Sequence, residues 1–309
     1  MTTYGGDGLE LRTLGSTGLE VTPVCVGTSP LGNTLAYKYE VPLEDAHATI
    51  RRAFEGPINF LDTSNNYGDS ERRIGIVLRE RGGIPDGYVL QTKVDRDMDT
   101  GDFSGDRVRR SVEESLERLG VDRLGLVHLH DPENISFEEG IAPDGPLEAM
   151  KALQAEGVIA HLGVAGGPID LMQRYIRTGA FAVVLSHNRY TLVDTSAEPL
   201  FAEAQERGVA VLNAAPFGGG VLAGGRASEG TYAYRDAAPE ELARIEAIRA
   251  ACERHDVPVA AAALQFSLRD PRIVSTVAGV SRPERVEKLV ELARHPIPGE
   301  LWDELTPQD

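Results

Sequence analysis

The chain is 309 residues long, 41% hydrophobic, and carries a formal charge of −17 with a pI near 4.9. That length suits one large domain or two ordinary ones, and the apolar fraction is enough for a sizeable core. An acidic surface repels nucleic acid and anionic membrane, which sets both aside as partners, while an anionic cofactor stays admissible because helix termini and local dipoles bind it.

The N-terminus, Met1-Thr2-Thr3-Tyr4-Gly5-Gly6, has no basic segment followed by an apolar one, so no signal peptide is expected. No apolar run approaches the roughly 20 residues that span a bilayer. Cys25 and Cys252 read as small buried hydrophobes, and so cysteine-poor a chain fits a reducing cytoplasm. Residues 9–14 and 19–21 form extended pieces around the turn Gly15-Ser16-Thr17-Gly18, which predicts an N-terminal β-hairpin. A buried strand follows at 24–27, then a helix opened by Pro42-Leu43-Glu44 with apolar positions at Ala46, Ile50, Ala53 and Phe54. From there a strand–helix unit repeats: strands at 58–62, 88–93, 124–130, 159–164, 182–185, 209–213 and 273–278, with helices at about 70–80, 104–119, 145–156, 169–178, 198–207, 239–255, 259–269 and 283–293. A short helix around 299–305 closes the chain.

Counting 24–27, eight strands alternate with helices, and strict alternation implies a parallel sheet. Eight evenly spaced units imply closure into an α/β (β/α)8 TIM barrel, with the hairpin before it and extra helices near the C-terminus. An open doubly wound sheet would want Gly-x-Gly-x-x-Gly after its first strand. Here the turn is Gly27-Thr28-Ser29-Pro30-Leu31-Gly32, with Pro30 where the helix should grow. No linker divides residues 1–309, so a single domain is expected.

In such a barrel the chemistry sits at the C-terminal ends of the strands. Asp62, Lys93 and His130 end the second, third and fourth strands, and Tyr67 lies in the loop after Asp62. Neighbouring strands are about 4.8 Å apart, so the four can converge. A phenol of ordinary pKa about 10 exchanges protons poorly at neutral pH. A lysine ammonium nearby favours the phenolate, and a buried ammonium needs a counter-charge such as Asp62. The phenol can then give a proton to a carbonyl oxygen or take one from a hydroxyl, with an imidazole to hydrogen-bond that oxygen. This suits carbonyl/alcohol interconversion, and because the group holds no electron source it implies a hydride cofactor. Each residue alone is more often structural: a strand-end Asp or Lys in a salt bridge, a loop Tyr at the surface. His128, two residues before His130 on the same strand face, reads as a core or supporting histidine. The pair lacks a third ligand, so no metal is expected.

The segments Leu14-Gly15-Ser16-Thr17-Gly18-Leu19, Asn59-Phe60-Leu61-Asp62-Thr63-Ser64-Asn65-Asn66-Tyr67-Gly68 with Ser70-Glu71, Thr92-Lys93 and His130-Asp131-Pro132 carry a resemblance. With them the chain resembles the aldo-keto reductase family over essentially its whole length. The resemblance implies a barrel that binds NAD or NADP across the rim. It implies Tyr67 as general acid/base, Lys93 and Asp62 as its tuning pair, and His130 as the residue that orients substrate.

The second half departs from the commoner pattern. Gly163-Val164-Ala165-Gly166-Gly167 replaces the usual Ser-Asn, His187 stands where Gln is usual, and Ala214 where an aromatic usually stacks on the nicotinamide. Asn188 and Asn213 are the substitute candidates. The expected cofactor contacts are Gly27, Asn188, Asn213, Pro216, Phe217, Gly218, Gly219, Gly220, Leu222, Gly279, Ser281 and Arg285. The run Gly218-Gly219-Gly220 suits close approach to a pyrophosphate, or is simply a surface loop. At the adenosine end Arg285 is kept, but Gly279 and Leu289 replace a phosphate-gripping lysine and an adenine-contacting asparagine. A 2′-phosphate wants charge-assisted partners, so NAD is favoured over NADP, although Arg282 and Arg285 remain available.

His130-Asp131-Pro132-Glu133 and Asn213-Ala214-Ala215-Pro216-Phe217-Gly218-Gly219-Gly220 look like a bacterial branch that oxidises aldoses at C1, with pyridoxal-oxidising relatives nearby. The resemblance therefore implies an aldose or another small carbonyl compound as substrate. Asn33, Asn65, Asn66 and His187 are then candidates for its hydroxyls, and Tyr37 or Tyr39 for its ring face. The alternatives are an NADPH-dependent aldehyde or ketone reductase, a pyridoxal 4-dehydrogenase, and a cofactor-binding regulatory subunit of a membrane protein. A monomer or small homo-oligomer is expected.

Overall fold

The computed structural model describes residues 4–6, 9–34, 39–223 and 230–306. Strands β1 (Arg12–Thr13) and β2 (Glu20–Val21) pair antiparallel as the predicted hairpin. The elements that follow are β3 (Val24–Gly27), α1 (Leu43–Glu55), β4 (Phe60–Asp62), α2 (Ser70–Arg81), β5 (Val89–Val94), α3 (Gly105–Leu119), β6 (Leu124–His130), α4 (Phe137–Gly140) and α5 (Pro146–Ala155). The second half continues with β7 (Ile159–Gly166), α6 (Ile169–Arg177), β8 (Val183–His187), α7 (Glu198–Glu206), β9 (Ala210–Ala214), β10 (Thr231–Tyr232), β11 (Arg235–Asp236), α8 (Pro239–Arg254), α9 (Val259–Leu268), β12 (Ile273–Gly279), α10 (Pro283–Arg294) and α11 (Gly299–Leu305). Strands β12, β3, β4, β5, β6, β7, β8 and β9 close in that order into a parallel barrel, the expected (β/α)8 architecture.

The strands are apolar on both faces because one face meets the helices and the other fills the ring. The helices bury one stripe each: α1 buries the predicted Ala46, Ile50, Ala53 and Phe54. Inside the ring, residues two apart share the inward face, and the chemistry changes with height. The lower tier holds Phe60, Val89, Leu126, Val183 and Ala210, packed in one buried cluster with Leu14 and Val21 from the hairpin region. The Arg12 guanidinium donates to the Ile273 carbonyl, at the start of β12, at 2.8 Å. The hairpin thus plugs the N-terminal end of the ring. Going up each strand, Val89 gives way to Gln91 and Lys93, Leu126 to His128 and His130, and Phe60 to Asp62. On these three strands the polar groups lie towards the C-terminal mouth.

Three elements depart from the sequence reading. Strand 58–62 shortens to Phe60–Asp62. Asn59, just before it, spends its side-chain amide on the hairpin and a loop, accepting from Thr22 N at 2.8 Å and donating to Glu20 O and Gly87 O. A 3-10 turn at Pro132–Asn134 and α4, opened by a Ser136–Glu139 capping box, fill the segment after β6. The hairpin β10–β11 was not expected. Ala233 and Tyr234 make its turn with φ of 51° and 67°, a conformation usually announced by Asn or Gly.

Candidate active site

The period of two along β4 and β5 puts Asp62, Gln91 and Lys93 on the inward face. Lys93 is 2% exposed and its ammonium lies 2.6 Å from Asp62 Oδ1. It also donates to the Thr63 carbonyl at 2.7 Å. Gln91, which the sequence reading passed over, donates from Nε2 to the same Asp62 oxygen at 2.7 Å, and its Oε1 lies 3.0 Å from His128 Nε2. With Gln91 accepting, His128 carries its proton on Nε2. Burial, reinforced by the Lys93 and His130 charges, pushes the His128 pKa well below the ordinary value, so this imidazole is neutral. His128 is fully buried, as a core histidine should be, and Gly163 makes room for it: a Cβ there would stand 2.3 Å from His128 Nδ1.

Tyr67 is brought over this pair. The Lys93 ammonium is 4.6 Å from the centroid of its ring, and the ring meets His130 edge-on with centroids 5.9 Å apart. The Tyr67 loop is held by main-chain contact with the 3-10 turn Ser29–Gly32: Asp69 N donates to Gly32 O at 3.0 Å. A Cβ on Gly32 would lie 1.7 Å from the Tyr67 carbonyl oxygen. Gly32→Ala is therefore expected to shift the Tyr67 loop, destabilise the fold by about 1–3 kcal/mol as an overpacked contact, and lower kcat. Urea melts together with steady-state rates check this, and unchanged values in both would show that the loop yields freely.

His130 sits among carboxylates. Its Nδ1 is 2.6 Å from Asp95 Oδ1, and its Nε2 is 3.7 Å from Asp131 Oδ1. Burial alone would lower its pKa, but Asp95 and Asp131 outweigh burial and the Lys93 charge, and the pKa is raised above the ordinary value. Asp131 is itself 3.5 Å from His187 Nε2. Burial pushes its carboxyl up, yet His130 and His187 outweigh that and hold it well below the usual carboxylate range, so it is ionised. Among the described residues, Asp131, Glu133 and His187 also bring one donor atom each within 4.8 Å of one another. Glu133 Oε1 accepts from Gly167 N at 3.3 Å. Asp95 was not anticipated, although Lys93-Val94-Asp95 places it on the inward face one step past the strand.

The sequence-derived cofactor contacts separate into groups. Asn188, at the end of β8, is 9% exposed; its Nδ2 lies 3.2 Å from His187 Nδ1, while its Oδ1 is buried without a partner. That acceptor suits an amide donor such as a carboxamide. Gly27 and Gly279 stand side by side at the ends of β3 and β12, on the inward parity. Ser281 and the exposed Arg282 and Arg285 gather at the N-terminus of α10, where backbone N–H groups favour an anion. Leu289, further along that helix, packs into the core. These features fit a nicotinamide dinucleotide.

Two expectations change. Asn213 is 0% exposed, and its amide donates to Tyr190 O and to Ser267 Oγ on α9, each at 2.8 Å. Leu212 packs in the ring interior, so its neighbour Asn213 faces the helices and serves the fold. In the loop Pro216, Phe217, Gly218, Gly219, Gly220 and Leu222, the N–H groups of Gly218, Gly220 and Leu222 already donate to Ala215 O and Phe217 O. Ala233 N, from the β10–β11 turn, donates to Gly218 O at 3.2 Å. The loop is thus packed on that hairpin, and those three N–H groups are spent within it. Of the substrate candidates, Asn33 is bound both ways to Val41, and Asn65 donates to Ser111 O and Glu114. Asn66 and His187 remain at the mouth, Tyr39 is exposed, and Tyr37 lies outside the described residues.

Comparison with known proteins agrees with this geometry. The model of the aldo/keto reductase family matches residues 23–307. The chain is 35% identical to an L-galactose dehydrogenase of Arabidopsis thaliana, over 91% of this chain and 87% of that protein. It is 31% identical to a D-threo-aldose 1-dehydrogenase of a Pseudomonas species, over 93% and 94%. A solved aldo-keto reductase of Bacillus halodurans, in its holo form, shares the fold with a TM-score of 0.79 over 96% of this chain and 95% of that one, at 24% identity. The chain belongs to the aldo/keto reductase family and is an NAD(P)-dependent oxidoreductase that interconverts carbonyl and alcohol.

Proposed function

We propose that this enzyme oxidises an aldose at C1 to the lactone, with NAD as the preferred cofactor, in the cytoplasm and as a monomer or small homo-oligomer. The observation that carries the chemistry is the buried Lys93–Asp62 pair beneath the Tyr67 ring. The ammonium favours the phenolate, so Tyr67 can take the proton of the C1 hydroxyl. Asp62, held by Gln91, supplies the counter-charge that a buried ammonium needs. His130 hydrogen-bonds the reacting oxygen and fixes its place. When bound, a nicotinamide takes up the hydride that leaves C1. Asn188 would hold its carboxamide, and Ser281 and Arg285 its adenosine end.

A sugar is favoured because the mouth offers polar partners around His130, namely ionised Asp131, His187 and Asn66. NAD is favoured because Gly279 stands where a lysine would grip a 2′-phosphate, leaving fewer cations there, namely Arg282 and Arg285. The cytoplasm is favoured because Cys25 and Cys252 are both buried as thiols and, among the described residues, no helix is long and apolar enough to cross a membrane. The second reading is reduction of an aldehyde or ketone. It is favoured by the raised pKa of His130, since an imidazolium donates to a carbonyl oxygen.

A panel of aldoses, pyridoxal and simple ketones, each assayed with both cofactors, separates the readings. Aldose oxidation is expected to dominate, and turnover of ketones alone would overturn the aldose reading. Fluorescence titration is expected to show tighter binding of NADH than NADPH. A tenfold preference for NADPH, about 1.4 kcal/mol, would reverse the cofactor assignment.

A further inference from the structure

One buried carboxylate lies beside the reacting groups and has no part in the chemistry so far described. Asp95 follows β5 by one residue, on the inward parity of Lys93, and is 4% exposed. Its Oδ1 lies 2.6 Å from His130 Nδ1. Its Oδ2 accepts from Ser64 Oγ at 2.5 Å and from Asn66 N at 3.2 Å. Its main chain is fixed as well: Asp95 N donates to Ser111 Oγ at 3.1 Å, and its carbonyl accepts from Arg107 Nε at 3.2 Å. Burying a carboxylate is costly unless it is paired and hydrogen-bonded, and here both oxygens are engaged. Ser64 and Asn66 belong to the segment that leads from Asp62 to Tyr67. The same carboxylate therefore binds the imidazole on one side and the phenol-bearing loop on the other.

We propose that Asp95 is the positioning residue for His130: it accepts the Nδ1 hydrogen bond, turns Nε2 towards the substrate oxygen, and through Ser64 and Asn66 sets the imidazole against Tyr67. A carboxylate that orients an imidazole also fixes which nitrogen meets the substrate. The inference rests on His130 contacting the reacting oxygen, as proposed above.

The consequence is a dependence on pH with a defined sign. The ionisable groups around His130 are Asp95 and Lys93 at the end of β5, Asp131 just after β6, His128 on β6, Tyr67 after β4, and His187 on β8 through Asp131. Asp95 and Asp131 favour the imidazolium, while burial, Lys93 and any charge on His128 oppose it. Below its folded pKa, His130 donates from Nε2, which helps reduction of a carbonyl. Above it, Nε2 has no proton to donate and that hydrogen bond to the oxygen is lost, the hydroxyl's single proton being the one exchanged with Tyr67. Reduction should therefore lose rate as pH rises through that pKa. Removing the Asp95 charge should move that limb to lower pH.

The test is the full-length enzyme and its Asp95→Asn variant, followed by NMR titration of labelled imidazoles and by the pH profile of kcat in both directions. The His130 signals are assigned by their loss in His130→Gln. In wild type, neutral His130 should carry its proton on Nδ1. In Asp95→Asn its titration should move to lower pH, the limb of the reduction profile should move with it, and kcat should fall at least about tenfold, the lower end of what losing a carboxylate that orients an imidazole costs at metal sites. Asp95→Glu should return the midpoint part of the way. A wild-type spectrum showing neutral His130 protonated on Nε2 would overturn the proposal without any variant. So would an Asp95→Asn enzyme with lower kcat but unmoved midpoints, the mark of a merely structural residue. If His130→Gln turns over like wild type, the assumed role of His130 fails instead, and the NMR titration still judges its coupling to Asp95.

Discussion

Replacing Tyr67 by Phe is expected to lower kcat by about 10²–10⁴-fold, the usual contribution of one positioned proton donor or acceptor. The ring stays, so its packing over the Lys93 ammonium and against His130 is retained. Only the hydroxyl is lost. Cofactor affinity, read by fluorescence titration, should change less than twofold, and the melting temperature should hardly move. That separation gives the experiment its force, because a binding or folding defect would change those two quantities first. Rates equal to wild type would remove Tyr67 from the proton transfer and, with it, the reason for a charged pair beneath its ring.

Asp62→Asn is expected to be the most damaging conservative substitution at the mouth. The Lys93 ammonium would keep the Thr63 carbonyl but lose the carboxylate charge 2.6 Å away. Breaking a buried pair from one side costs about 3–5 kcal/mol, because the remaining charge is left uncompensated. The urea midpoint should fall accordingly, and turnover with it. The double variant Asp62→Asn with Lys93→Met removes the stranded charge and should recover much of the lost stability. Activity should stay low, because the phenol then has no cation to tune it. A single Asp62→Asn variant as stable as wild type would mean that the ammonium is compensated by water or by other groups. Recovery of activity in the double variant would refute the tuning role altogether.

The barrel was legible in the sequence because its signal is redundant. Eight short apolar runs alternate with helices, and in runs 88–93 and 124–130 the polar residues Gln91, Lys93, His128 and His130 fall towards the C-terminal end. The convergence of Asp62, Tyr67, Lys93 and His130 was readable from their places at the strand ends together with the family resemblance. Three things were harder to read, each for its own reason. Asn213 looked like a rim residue, but one position along a strand decides between the ring and the helix layer, and Leu212 had already taken the inward face. Asp95 was recoverable by the same parity from Lys93, yet no motif marks it. The β10–β11 hairpin was invisible because Ala233 and Tyr234 bend the chain without the usual turn residues. That unseen hairpin occupies the Gly218 loop, so the loop's part in cofactor binding could not be judged from composition.

The vertical ordering of the ring has an evolutionary corollary. Foundation and workshop occupy different storeys, so selection can act on them almost independently. Exchanging side chains at positions 66 and 187 should redraw substrate scope while folding yield holds steady. Cutting Phe60, Leu126 or Val183 down to alanine should depress yield whatever compound is being turned over. A library randomised at the upper two positions ought therefore to stay largely soluble, and one randomised at the lower three ought not.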